Sequence, residues 1–421
     1  MIVLYNVFLA IYSLGIRIIS LGNAKAKLWL KGRQDLFQQM QSTYHPGNSQ
    51  KVWMHCASLG EFEQGRPVLK KLTETYPGLS VVITFFSPSG YEIAKNNKDL
   101  SQIYYLPMDS ASNAGKLLDI LRPDLVLWIK YEYWYYYLLE IKKQNIPLLM
   151  VSGVYQPGQV FFKWYGGLYR NMLKCFTHFF VQNSDSKNEL ANLVKGEDIT
   201  VSGDTRCDRV INIAENFNEI LPIKKFCGND TVIVAGSTWE DDETEWTHFV
   251  KQHPDIKFII APHEIDEENL RDVKKEFAGS VLYSEWDQQS SMVNRESSIN
   301  CLIIDNIGML SKLYKYATIT YVGGGFGYNG LHNVLEAAVY GKPVIFGPEY
   351  GKNFEAEELI DCSGGISINN ALELEKIVNH LLDNPGELAS RGNAAKEYVY
   401  KNAGASKKIV DYVQANRLLT S

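Results

Sequence analysis

Two glutamates stand where the chain leaves predicted strands. The stretch HCASLGEFEQGRPVL, residues 55–69, passes from a strand through Ser58 and Gly60 into a helix that begins near Glu61. The C-terminal edge of a parallel strand is where α/β enzymes keep their sites, and a carboxylate there can take a proton from a hydroxyl. The competing reading is that Glu61 only complements the positive end of its helix, which Glu63 would do equally well. The stretch WIKYEYWYYY, 128–137, puts Glu132 past another strand end among five tyrosines and two tryptophans. Rings of that kind stack on sugars, or else they fill a surface between domains. VSGDTRCDRV, 201–210, adds Arg206, a phosphate partner unless it is merely solvated.

A second group of residues suits a nucleotide. In VAGSTWEDDE, 234–243, Gly236, Ser237 and Thr238 make a small-residue turn whose amides and hydroxyls fit an anion. The acidic run after it resembles a metal site, but an acidic first helical turn is the stronger reading. His263 closes a strand in IIAPHEIDEE, 259–268. In YVGGGFGYNGLHNVLEAAVYGKPVIFGP, 321–348, Gly323, Gly324 and Gly325 let a ligand approach the backbone. A helix is predicted from about His332, with Asn333 near its start and Glu336 one turn in. The pattern is neither G-x-G-x-x-G nor a P-loop, which would offer Lys and Ser or Thr. A carboxylate at 336 is unsuited to phosphate and suited to two ribose hydroxyls, with the phosphate at the helix tip. GPEYGKNF, 347–354, brings Asn353 on the next loop.

These residues need strands to position them. Short apolar runs at 52–58, 81–86, 103–107, 124–129, 147–153, 178–183 and 199–203 alternate with helical stretches. After a pause at 216–230 the rhythm restarts, at 231–237, 257–262, 280–284, 301–305, 318–325, 343–348 and 365–368. Such alternation predicts parallel sheets buried on both faces. The expected architecture is two doubly wound α/β domains hinged near 210–228, with a cleft between them for a two-substrate reaction. Residues 34–212 form the first domain and 213–421, with the C-terminal helices, the second. Residues 1–22 are apolar over about the length that spans a bilayer. Their polar members Asn6, Ser13, Arg17 and Ser20 share one stripe of a helix, and Lys25, Lys27, Lys31 and Arg33 follow. Residues 1–33 are therefore read as a membrane-associated helix with a basic flank. A net charge of −6 excludes a dedicated nucleic-acid binder. Six cysteines without a C-x-x-C pair suggest neither a zinc site nor a disulfide framework.

Taken together, ASLGEFE, the Y-E-Y-W segment, SGDTRCD, AGSTWEDDE, VGGGFGYNGLHNVLEAA and FGPEYGKNF resemble the 3-deoxy-D-manno-octulosonic acid (Kdo) transferases of lipopolysaccharide assembly, in order and along nearly the whole chain. The resemblance implies a GT-B fold of two Rossmann-like domains, the first binding the acceptor and the second binding CMP-Kdo. It implies transfer of Kdo to the 6′-hydroxyl of a lipid A precursor, inversion at the anomeric carbon, no metal or other cofactor, and a place at the cytoplasmic face of the inner membrane. Glu61 matches the family's general base and Glu132 a second acid. Arg206, Ser237, Thr238, His263, Asn333 and Glu336 match positions around the donor, with Gly324, Gly325 and Asn353 in the adjoining loops. Two departures stand out. Lys130 replaces the first acid of the E-x-E-L-W region, and G-L-H-N-V stands where G-G-H-N-P is usual. The alternatives are a transferase using a UDP-sugar, a sugar-nucleotide epimerase, for which an apolar anchor has no purpose, and a non-catalytic membrane scaffold.

Overall fold

A computed structural model describes the chain apart from residues 46, 48, 96–101, 131, 290–298, 329, 352 and 421. Tyr131, Asn329 and Lys352 of the motifs above, and part of the turn at 45–50, lie outside the described residues. Each of the fourteen predicted runs contains a strand. The chain divides into two compact units, Met1–Arg209 with Ala403–Ser421, and Val210–Asn402.

The first unit holds β1 (Lys51–Cys56), β2 (Ser80–Phe85), β3 (Ile103–Tyr105), β4 (Leu125–Ile129), β5 (Leu148–Gly153), β6 (His178–Val181) and β7 (Ile199–Val201). They form one parallel sheet in the order β3-β2-β1-β4-β5-β6-β7. The runs are continuously apolar because both faces are covered. Trp53, Val126, Trp128, Leu148, Met150 and Phe179 face one layer. Val52, Met54, Leu125, Leu127, Val151 and Phe180 face the other.

The N-terminal helix, Ile2–Ile19, packs on the first of these layers. Tyr5 and Leu9 are buried, the Tyr5 hydroxyl donates to Asp109 at 2.6 Å, and the Tyr136 hydroxyl donates to Asn6 at 2.8 Å. Val3, Leu4, Val7, Phe8, Ile11, Leu14 and Ile18 are exposed on the remaining circumference. The helix is long and apolar enough to cross a membrane.

The C-terminal helices divide. Helix Ala405–Ala415, expected with the second domain, belongs to the first unit. Its Ile409, Val410 and Val413 join the second apolar layer, and Asp208 accepts the amides of Gly404 and Ser406 at 2.5 and 2.7 Å. The predicted boundary at 212 moves to 209. The pause at 216–230 contains a short helix, Leu221–Cys227.

The second unit holds β8 (Val232–Thr238), β9 (Lys257–Pro262), β10 (Val281–Leu282), β11 (Cys301–Ile303), β12 (Ile319–Val322), β13 (Val344–Phe346) and β14 (Gly365–Ser367). They too form a parallel sheet, in the order β10-β11-β9-β8-β12-β13-β14. Strand order therefore reverses between β1 and β4 in one sheet and between β8 and β12 in the other. Doubly wound folds open a crevice at that point, because the connections leave in opposite directions.

Candidate active site

Both candidate acids sit at the reversal in the first sheet. Glu61 lies in the first turn of helix Leu59–Thr75, which follows β1. It is 9% exposed, and its Oε2 accepts the Ala57 N–H at 2.5 Å, so the carboxylate is folded back over the strand end. Glu132 follows β4. Its Oε2 meets His55 Nε2 at 3.1 Å and takes the Trp134 indole N–H at 2.9 Å. His55 Nδ1 lies 2.9 Å from Thr84 Oγ1, which accepts the Trp53 indole N–H at 2.8 Å. The Thr84 hydroxyl hydrogen is then available to Nδ1, and Nε2–H donates to Glu132; this tautomer is assigned from the network. The two carboxylates act on one group: the buried Cys56 thiol is pushed up by desolvation first, then by Glu61 and Glu132. Glu63 is set apart by an ion pair with Arg209 at 2.6 Å.

Arg206 does not extend freely toward a ligand. Its Nε and Nη2 donate to Asp204 Oδ2 at 2.9 and 2.6 Å. Burial would raise the Asp204 pKa, but Arg206 and Lys130 hold it below the usual carboxylate range. Lys130, the departure from the family pattern, has φ 52° just past β4 and thus adds its charge beside an acid. The expected phosphate partner is one half of an internal pair.

The second unit gathers three strand ends. Ser237 has φ 55°, a left-handed conformation rare for a residue with Cβ, and β8 shifts register against β9 between Gly236 and Thr238. Trp239 follows at once. Its ring stacks on His263, after β9, with centroids 4.6 Å apart, and His263 stacks on His332 at 4.4 Å. The Trp239 indole N–H donates to His332 Nε2 at 3.1 Å. An accepting Nε2 requires the neutral imidazole with its hydrogen on Nδ1. Consistent with that, burial and then His263 lower the His332 pKa to about 4. Three parallel rings at the end of a sheet make a platform for another flat ring.

The glycine loop works differently from expectation. A Cβ at Gly323 would meet Ser237 O at 2.4 Å, and one at Gly325 would meet Gly347 N at 2.7 Å; Gly324 has φ 91°. β8 and the loop after β13 approach these positions closely enough to require glycine. Asp242 holds the arrangement. Its Oδ2 accepts the amides of Gly324 and Trp239 at 2.8 and 2.9 Å, and its Oδ1 accepts the Tyr321 hydroxyl at 2.6 Å.

Other expectations shift with it. The Thr238 hydroxyl is spent internally, donating to Glu243 at 2.8 Å, and burial pushes Glu243 up to about 7. The helix expected from His332 is one turn, Leu335–Ala338, too short to sum an appreciable dipole for a phosphate. Asn333 donates to Glu336 at 3.3 Å. Asn353 donates to Leu331 O at 2.7 Å and ties the following loop to this one. Among the described residues no three His, Cys, Asp or Glu side chains group as metal ligands. Sequence reasoning gave no site role to Trp239, His332 or Asp242; for Trp239 and Asp242 the W-E-D-D run just after a strand end was the available signal.

Two doubly wound parallel sheets with polar strand ends define a glycosyltransferase-type fold, GT-B. Among solved structures the chain is similar to a UDP-N-acetylglucosamine 2-epimerase, with TM-score 0.60, 16% identity and coverage of 89% of this chain and 98% of that one. It is also similar to a glycosyltransferase from Rickettsia africae, with TM-score 0.57, 17% identity and coverage of 88% and 99%. At such identities the likeness shows fold alone. Sequence discriminates further. Residues 32–209 match the family model described as 3-deoxy-D-manno-octulosonic-acid transferase. A 3-deoxy-D-manno-octulosonic acid transferase of Chlamydia trachomatis is 27% identical over 356 residues, 82% of this chain and 81% of its relative. The Haemophilus influenzae enzyme of that name is 25% identical over 380 residues, 87% of each. The chain is a glycosyltransferase, and it is similar to Kdo transferases over most of its length.

Proposed function

We propose that the protein transfers Kdo from CMP-Kdo to the 6′-hydroxyl of a lipid A precursor of the lipid IVA type, with inversion and without a metal. The observation that carries this reading is the seating of Glu61 at the reversal of the first sheet, oriented by the Ala57 amide, in a chain similar to Kdo transferases. Glu61 removes the proton of the acceptor hydroxyl as its oxygen attacks the anomeric carbon of Kdo. The bond from that carbon to the phosphate oxygen breaks, and CMP departs with the electron pair. Glu132, fixed by His55 and Trp134, orients the sugar. In the second unit the turn at Ser237 and the Trp239–His263–His332 platform hold CMP, with Glu336 and Asn333 toward its ribose. Polar N–H groups fixed before the reaction stabilise the departing phosphate without reorganising.

The N-terminal helix brings the enzyme to its lipid. Tyr5, Asn6 and Leu9 are engaged by the first unit, so the helix lies along that unit with its apolar side outward. That geometry suits a helix lying in the plane of the membrane surface, at the cytoplasmic face of the inner membrane. Trp164, 91% exposed, and Tyr165 extend the same face, since the neighbouring Gly167 abuts the Met1 side chain. Aromatic side chains favour that depth.

The test is incubation with CMP-Kdo and a tetraacylated lipid A precursor, followed by mass spectrometry of the lipid. A mass gain of one or more Kdo units is expected. No gain, or calorimetric binding of UDP in preference to CMP, overturns the reading.

A further inference from the structure

The polar stripe of the N-terminal helix borders a cavity of 470 Å³ in the first unit. Small-molecule sites run to about 300–1,000 Å³. Ser13 and Arg17 from the stripe form one wall, Trp29 and Arg33 another, and Phe37 and Met108 contribute apolar surface. None of the residues lining it is acidic.

Arg33 is a cation whose direct partners are neutral groups. Its guanidinium lies 3.8 Å from the Trp29 ring centroid and 4.9 Å from those of Phe86 and Tyr105. It donates to the carbonyls of Leu106, Trp29 and Phe86 at 2.9, 3.1 and 2.7 Å. A guanidinium has five N–H donors, so these carbonyls leave hydrogens over. Burial lowers the Arg33 pKa and outweighs the opposing fields of Tyr105, Tyr137, Tyr12 and Glu132. Trp29, 5% exposed, has a buried indole N–H with no acceptor among the described residues. A buried donor without a partner costs about 1–3 kcal/mol. Arg17 stands exposed at the rim, and among the described residues neither arginine has a carboxylate within ion-pair distance. Two cations, an unmatched donor and apolar walls fit an anion that carries a hydrocarbon chain.

We propose that this cavity is a stoichiometric site for the phosphate headgroup of an anionic bilayer lipid. Arg17 and Arg33 meet the phosphate, and the start of the acyl chain lies against Phe37 and Met108. The proposal rests on the reading of the N-terminal helix as lying on the membrane, but not on the identity of donor or acceptor. It gives the polar stripe a purpose: on a helix whose far side is apolar, these residues frame a headgroup at the height of the membrane surface.

The test uses the full chain in a non-ionic detergent, titrated with dihexanoyl phosphatidic acid and followed by tryptophan fluorescence. Saturable binding of one lipid per chain is expected. Arg17→Gln should weaken it about tenfold, the loss of one charge-assisted contact, while Arg17→Lys retains most of it. Dihexanoyl phosphatidylcholine should bind far more weakly, and inorganic phosphate at the same concentration should not displace the lipid. Non-saturable binding, equal binding of the choline lipid, or an unaffected Arg17→Gln variant overturns the proposal. Displacement by phosphate alone would make this a simple anion site. Displacement by the phosphorylated sugar acceptor at matched concentration would assign it to substrate. Kdo transfer is not a readout here, so the proposal can fail while the transferase reading stands.

Discussion

Glu61 and Glu63 occupy one helical turn and differ by what surrounds them. Arg209 holds Glu63 in an ion pair, whereas Glu61 is folded over a strand end beside Glu132. Glu61→Gln keeps the hydrogen-bond geometry and removes the proposed base, so turnover should fall about 10²–10⁴-fold, while calorimetric binding of CMP is unchanged. Equal turnover in the variant would assign the base elsewhere. His332 gives a second prediction. The unfolded chain protonates it near pH 6.5, and the folded chain holds it neutral down to about 4. In that window the unfolded state binds more protons, so this contribution is complete above 6.5 and is lost as pH falls toward 4. Glu243 acts oppositely: with its pKa raised to about 7, its contribution is present at low pH and lost as pH rises from 4.5. The difference in urea midpoints between the parent and His332→Phe isolates the histidine. That difference should shrink between pH 7 and pH 5; a constant difference would contradict a neutral buried ring.

At the scale of elements, the second unit depends on Asp242 joining its own helix to the ends of β8 and β12. Asp242→Ala leaves the Gly324 amide and the Tyr321 hydroxyl without their acceptor, at about 1–3 kcal/mol each. A lowered unfolding temperature and weaker CMP binding are expected by scanning calorimetry and titration. Unchanged values would mean that the glycine loop stands by itself. This contact also marks where sequence legibility stops. All the strands could be read from apolar runs, because a buried parallel strand needs no special partner to declare itself. Glu61 and Glu132 could be read because they adjoin those runs. The role of Asp242 could not, since nothing in a run of four acids says which of them reaches Gly324. The platform of Trp239, His263 and His332 escaped for the same reason: its members come from three separate strand ends. Gly323 to Gly325 were seen, but the approach of β8 and the loop after β13 to them was not, because close approach of backbone to backbone has the same local signature as approach to a ligand.

At the scale of the molecule, the N-terminal helix packs one side on the first unit and leaves the other side apolar and exposed. Leu4→Lys with Ile11→Lys places two charges on the exposed apolar side, away from Tyr5 and Leu9. Sedimentation with anionic vesicles should drop by about tenfold or more, as apolar insertion is lost, while circular dichroism stays unchanged. Vesicle binding that survives both charges would mean the helix does not insert by that side. The composition of residues 1–22 was legible from the start, but not which side the protein would cover; that depends on Tyr5 meeting Asp109, far along the chain.

Helix Ala405–Ala415 completes the layer that begins with Val52 and Met54. The second unit is one continuous stretch, Val210–Asn402, and the first is not. On the ribosome, synthesis runs from the N-terminus, and domains ordinarily fold in the order they emerge. Here the half made first has an uncovered apolar face until helix Ala405–Ala415 has been made, while the half made second is already continuous before it. A chain stalled just before Ala405 would carry a complete second unit beside a first unit that still lacks the helix covering Val52 and Met54.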